Sequence, residues 1–164
     1  MPNTHRAIAY LPPGSRDTRI PHDIAILLSD ERRVRRRAIT LVHGDTVLVD
    51  FAKVTTLDHR GALELENGAL IEIIAGEEHL YDIRGRDPLH VMELCWHLGN
   101  RHLPTQLDGN GKTLRILIKR DHVIADMLKK LGATVTEISE PFTPLEGAYS
   151  GHAHADTSHA LLNR

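Results

Sequence analysis

Short apolar, β-branched segments punctuated by turn residues run from Arg37 to Ile74. Ala38-Ile39-Thr40-Leu41-Val42 and Thr46-Val47-Leu48-Val49-Asp50-Phe51 flank His43-Gly44-Asp45, a pattern that predicts two strands joined by a tight turn. Gly61-Ala62-Leu63-Glu64-Leu65 and Ala69-Leu70-Ile71-Glu72-Ile73-Ile74 flank Glu66-Asn67-Gly68, and Asn-Gly favours a hairpin because both residues tolerate positive φ. No helical periodicity interrupts this stretch, which predicts an all-β N-terminal module.

Beyond Ala75-Gly76-Glu77-Glu78 the period changes. A strand around Leu80–Arg84 leads to Asp87-Pro88, an N-cap followed by proline at the first helical position. The helix carries Leu89, Met92, Leu94, Cys95 and Leu98, expected on a broad inward face, with Gly99 closing it. Segments Leu103–Leu107 and Thr113–Lys119 flank Asp108-Gly109-Asn110-Gly111. A second helix is expected from Asp121, with Ile124, Met127, Leu128 and Leu131 spaced i, i+3, i+4, i+7 and Gly132 as its stop. Thr134–Ile138 supplies a last strand. The order β-α-β-β-α-β is that of a ferredoxin-like module. Pro141 onward shows little periodicity and reads as a mobile tail. The expectation is an α+β chain: residues 1–76 a β-rich domain, 77–142 a ferredoxin-like domain, and 143–164 a flexible, histidine-containing tail.

Composition narrows the function. A 164-residue chain with 41% hydrophobic and 26% charged residues is of globular type, and two thin cores would gain from association between copies. A net charge of −2 lacks the basic surplus that nucleic-acid binding requires. No apolar run approaches the roughly 20 residues needed to cross a bilayer, and Met-Pro-Asn-Thr-His-Arg has no secretory pattern, so a cytoplasmic protein is expected. The single cysteine, Cys95, excludes an intrachain disulfide and a multi-cysteine zinc site, and reads as a small hydrophobe.

Twelve histidines stand against one tryptophan, three tyrosines and two phenylalanines. Their arrangement matters more than their number. In Ser150-Gly151-His152-Ala153-His154-Ala155-Asp156-Thr157-Ser158-His159, the His-Ala-His pair can bring two neutral imidazoles to one ion, with Asp156 and His159 adding to it. A solvated tail is the competing account. His102, in Gly99-Asn100-Arg101-His102-Leu103-Pro104, lies past the first helix, where spacing alone favours an ordinary surface or capping residue. One histidine cannot hold a metal, but a twofold axis would supply two. His122 falls in the exposed first turn of the second helix, where the dipole disfavours protonation and keeps the ring ligand-competent; an ordinary surface residue remains the simpler account. His97 flanks the Leu94/Leu98 face. The run Glu31-Arg32-Arg33-Val34-Arg35-Arg36-Arg37 reads as a solvated strand edge or a docking patch for an acidic protein surface, because no aromatic residues interleave to stack bases. Phosphate-loop, nucleophile-elbow and His-Glu-x-x-His patterns are absent from the sequence, which lowers the odds of an enzyme.

Three segments together resemble the UreE family of urease accessory proteins: His97-Leu98-Gly99-Asn100-Arg101-His102-Leu103-Pro104, Asp121-His122-Val123-Ile124-Ala125-Asp126-Met127-Leu128, and Pro141-Phe142 through Glu146-Gly147-Ala148-Tyr149, followed by the histidine-containing end. The resemblance implies a peptide-binding-like β domain and a ferredoxin-like domain that dimerises and binds metal. It implies a homodimeric nickel carrier that is not an enzyme and that delivers nickel to the urease maturation complex, including an accessory GTPase. Zinc or copper would also bind such a site in vitro. The family's interfacial histidine falls on His102, and its C-terminal ligands fall on His152 and His154, extending to His159. A His-x-His pair of some members falls on Arg120 and His122, so only the second position is a histidine here. The alternatives are a protein- or peptide-binding chaperone module with incidental metal binding, and a metal-dependent hydrolase, for which no catalytic carboxylate can be placed.

Overall fold

The computed structural model describes residues 2–15, 18–109 and 113–146. Among the described residues, ten strands and two helices make a mixed α+β fold, mostly β. The first six strands are β1 (Thr4–Leu11), β2 (Asp23–Leu27), β3 (Arg33–Thr40), β4 (Thr46–Thr56), β5 (Ala62–Leu65) and β6 (Leu70–Ala75). They form one sheet in the order β2-β6-β5-β1-β4-β3. The expected hairpins are present, β3 with β4 and β5 with β6, and Gly68 adopts φ +80° at the Asn-Gly turn. The sequence pattern did not mark β1 and β2, which pair in parallel with β4 and β6. Parallel pairing needs no local turn signal, so nothing near these segments announces it.

Alternate residues of these strands, such as Val47, Val49, Leu63, Leu65, Ile71 and Ile73, converge into the first core. These side chains pack against one another, with Tyr10, Phe51 and Ala69 at the margin of the cluster. The basic run forms edge strand β3, as expected of a solvated edge, with Arg33, Arg35, Arg36 and Arg37 exposed. Arg32 departs from that reading. It is 3% exposed, and its Nη2 donates to the carbonyl of Phe142.

The rest of the described chain is β7 (Glu77–Arg84), α1 (Pro88–Gly99), β8 (Gln106–Gly109), β9 (Leu114–Lys119), α2 (His122–Lys130) and β10 (Thr134–Pro141), with sheet order β10-β7-β9-β8, antiparallel throughout. Asp87 caps α1 by accepting from the His90 N–H at 2.8 Å, and Asp121 caps α2 by accepting from Val123 and Ile124. Gly132, at φ +86°, closes α2. The helices pack on one sheet face around Tyr81, Ile83, Leu94, Leu98, Ile116 and Leu128. Leu80 and Leu117, at the alternate positions, meet Phe142 on the other face.

Three expectations for this region are corrected. Leu89 and Met92 do not face the core; they are 72% and 61% exposed, with Trp96 beside them at 66%. The inward face is His90, Leu94 and Leu98, flanked by Val91 and Cys95. His90 takes a core position because its polar atoms are satisfied: Nδ1 accepts from the Arg86 N–H at 3.1 Å, so Nε2 carries the proton and donates to the Leu131 carbonyl at 2.9 Å. Second, residues 103–105 are not strand, and the left-handed residue after α1 is His102 rather than Gly99. Third, the tail does not begin at Pro141. Pro141 pairs with Glu77, Phe142 is fully buried, and residues 143–146 are held by hydrogen bonds.

Candidate metal centre

The end of α1 sets the position of His102. Asn100 N–H donates to the Trp96 carbonyl, Arg101 N–H to Leu98 and His102 N–H to Gly99, so the helix tightens before it stops. The Arg101 guanidinium turns back to donate to the His97 carbonyl at 2.9 Å, satisfying one carbonyl that the helix end leaves without a partner. His102 then adopts φ +54°. This is the left-handed conformation that ordinarily terminates a helix through glycine or asparagine. Its side chain is exposed, while Leu103 packs into the second core and fixes the chain immediately beyond it.

His122 is the first residue of α2 and is exposed, as expected. Position 120, two residues earlier, is committed elsewhere. Arg120 donates to the carbonyls of Leu80 and Ile138 and pairs with Glu137 at 2.8 Å, binding β7 to β10. Position 120 is thus part of the sheet's support and supplies no second imidazole beside His122. His97 is half-buried with its ring edge-on to Trp96, the centroids 5.1 Å apart. Cys95 is half-buried against the second core, and burial pushes its thiol up, which suits a packing residue rather than a thiolate ligand.

Among the described residues no group of three or more histidine, cysteine, aspartate or glutamate side chains is arranged to hold a metal ion. His152, His154 and His159 lie outside the described residues. What the structure does bring to His102 is the segment that leads to them. The Leu145 N–H donates to the Thr105 carbonyl at 2.8 Å, and the Thr143 N–H donates to Gln106 Oε1 at 2.7 Å. Residues 143–145 therefore run beside the chain three to four positions past His102. No local signal could have given this contact, since its partners are 37 and 40 residues apart.

The helix α1 also carries an exposed apolar stripe of three residues along its length. At 100° per residue, Leu89, Met92 and Trp96 fall within one narrow arc, nearly opposite His90 and Leu94. Large apolar side chains grouped this way on an exposed face mark an interaction surface.

Comparison with known proteins places this arrangement. The sequence model of the family described as UreE urease accessory protein, C-terminal domain, matches residues 78–162, just over half of the chain. The urease accessory protein UreE of Brucella anthropi is 54% identical over 136 residues, 82% of this chain and 78% of the relative. Urease accessory protein UreE 1 of Brucella suis biovar 1 is 51% identical over 146 residues, 89% of this chain and 88% of the relative. That of Rhizobium meliloti is 47% identical over 152 residues, 93% and 96% of the two chains. The match extends across both sheets, not only the module that contains His102. This chain belongs to the UreE family of urease accessory proteins, which are assembly chaperones and not enzymes.

Proposed function

We propose that the protein is a homodimeric nickel metallochaperone that acts in the cytoplasm and hands its ion to the urease maturation complex, its accessory GTPase included. In this reading residues 1–76 are a peptide-binding-like domain and residues 77–142 a ferredoxin-like one, consistent with the sheet order β10-β7-β9-β8. Nickel is cargo. Two copies of His102 face each other across the twofold axis, and the tails add His152 and His154, with His159 as a further donor.

The observation that carries this reading is the course of residues 143–145 along Thr105 and Gln106. It roots the tail beside the His102 turn. Six residue steps separate Glu146 from His152, a span of at most about 20 Å for an extended chain. The exposed Leu89, Met92 and Trp96 stripe supports association through α1, the same helix that delivers His102. A site shared between two exposed imidazoles and tethered ligands suits a carrier, because it can release its ion one ligand at a time. Coordination requires neutral rings, so affinity falls as pH drops through the histidine range. Imidazole also accepts zinc and copper, and nickel is favoured here by the urease role of the family. His122 stands as an auxiliary donor at most, given Arg120 beside it.

Calorimetric titration with nickel, on the full chain and on a chain ending at Ser150, tests the proposal when the mass of each is measured alongside. One tight ion per dimer, weakened by truncation and lost in His102→Ala, is the expected result. No tight binding in either chain would leave a peptide- or protein-binding chaperone as the better account.

A further inference from the structure

Val34 and Ile39 of β3 are both buried in the first core, although they lie an odd number of positions apart. Strict alternation along a strand would send them to opposite faces. The register explains the exception. Val34 pairs with Thr55 but Arg36 with Asp50, so pairing with β4 breaks at Arg35. The break shifts the alternation by one and leaves Arg35 and Arg36 both exposed on the outer face. Arg33, next to Val34, shares that face. Arg37 does not: it stands opposite buried Val49, and its guanidinium donates to Glu31 at 2.8 Å.

The neighbouring strands complete this face. β4 contributes Leu48, Asp50 and Val54, which alternate with buried Val47 and Val49. β1 contributes Arg6, opposite Leu48, and Ile8. Leu48, Val54 and Ile8 are 44%, 49% and 57% exposed. Arg36 Nε donates to Asp50 Oδ1 at 2.7 Å, while its Nη groups make no hydrogen bond among the described residues and the side chain stays exposed. Arg33 and Arg35 make no hydrogen bond or ion pair among the described residues. The hydrogen bond from Arg36, then the charges of Arg36, Arg6 and Arg35, hold the Asp50 carboxyl below the ordinary carboxylate range. Other carboxylates stand at the rim: Glu66, 3.9 Å from Arg6, and Glu146, on the Thr56 hydroxyl.

Charged side chains can simply guard an edge strand against pairing with another copy. That role accounts for β3 alone. It does not account for Arg6, two strands in from the edge, or for the exposed apolar residues set among the arginines. We propose that the outer face of β3, β4 and β1 docks an acidic protein surface. Its carboxylates meet the guanidinium groups of Arg33, Arg35, Arg36 and Arg6, and its apolar side chains meet Leu48, Val54 and Ile8. A guanidinium takes a carboxylate through two parallel hydrogen bonds, and arginine set among apolar groups is the composition of a protein interface. Nucleic acid fits less well, because the chain carries a net charge of −2 and no aromatic side chain lies among these arginines to stack bases. The inference is independent of the nickel site.

Fluorescence anisotropy on the full chain, with a fluorescein-labelled peptide of alternating glutamate and leucine as the probe, tests the surface. The peptide should bind at low salt and weaken as salt rises; no binding at low salt would overturn the proposal. Arg33→Gln combined with Arg35→Gln should weaken it about two- to twentyfold. Asp50→Asn, which removes the carboxylate among the arginines, should tighten it about 1.5- to fivefold, a gain that a damaged fold would not give. Lys129→Gln combined with Lys130→Gln makes the same change in net charge at the end of α2 and should leave the affinity unchanged. Equal weakening there would assign binding to net charge and defeat the docking face. An arginine variant that self-associates in light scattering, yet binds the peptide as before, would leave these residues as guards of the edge. Phosphatidylserine vesicles or duplex DNA bound more tightly than the peptide, and lost in the same arginine variant, would replace the protein partner with a membrane or a nucleic acid and overturn the proposal.

Discussion

His102 combines two demands that pull against each other. Its ring is the expected ligand, yet its backbone sits at φ +54°, a conformation that costs a side-chain-bearing residue stability relative to glycine. His102→Gly should therefore raise the stability of the metal-free protein by about 0.5–1 kcal/mol while removing the proposed interfacial nickel site. Thermal denaturation and nickel titration on the same preparation check both signs. A loss of stability would mean that the imidazole makes native contacts beyond those described. His90 is the opposite case. It resembles a candidate ligand in composition but both its nitrogens are spent, one on Arg86 and one on Leu131, inside the core. Nothing in the sequence separates these two histidines by residue type; partner and exposure do.

At the scale of elements, α1 shows why periodicity is an incomplete guide. Leucine, methionine, cysteine, tryptophan and valine surround most of the helix, so one apolar arc faces its own sheet and a second faces outward. A helix that is apolar nearly all round is one expected to be covered on both sides. Charge introduced on the outer arc, as in Met92→Glu or Trp96→Glu, should convert the proposed dimer to a monomer without loss of helix content. Light scattering and circular dichroism read the two outcomes, and a variant that stays dimeric would move the interface off α1. Strands β1 and β2 teach a related lesson. Their pairing partners β4 and β6 are 42 and 48 residues away in register, and a strand recruited at that distance leaves no turn motif nearby.

For the whole molecule, polar contacts link the two sheets. Glu78, 8% exposed, accepts from the Ser29 N–H and hydroxyl, and Lys119 pairs with it at 2.9 Å. Arg32 adds the clamp on Phe142. Gly76 lies between the sheets with its N–H on Leu27, where a Cβ would meet Leu28 at 3.1 Å, so the link leaves little room for a larger residue. Acid sensitivity has a second locus, at Asp23. Burial alone would raise its carboxyl, but hydrogen bonds from the Ile24 amide and from the His43 ring and amide carry it below the ordinary carboxylate range. A carboxyl lowered in the folded state adds stability above its unfolded value, near pH 4, and loses it as pH falls through the folded value. The melting-temperature advantage of the native protein over Asp23→Asn should thus shrink between about pH 5 and about pH 3. An advantage that holds constant across that interval would assign the effect to shape rather than charge.

The sequence by itself determined the local structure: the hairpins at Gly44 and Gly68, the capped helix starts at Asp87 and Asp121, the stop at Gly132, and the alternation of two helices with strands in the second half. Each depends on interactions within a few residues, and so leaves a readable local pattern. The family was also legible, because Gly99-Asn100-Arg101-His102 and Asp121-His122-Val123 are contiguous blocks. Only the tertiary structure decided which arc of α1 faces inward, that Arg32 leaves the basic edge for the interior, that Arg120 is spent on the sheet, and that residues 143–145 lie beside the His102 turn. These contacts join residues 18 to 110 positions apart. Loop closure over such distances is driven by burial and hydrogen bonding summed over the whole chain, and no short segment records the result.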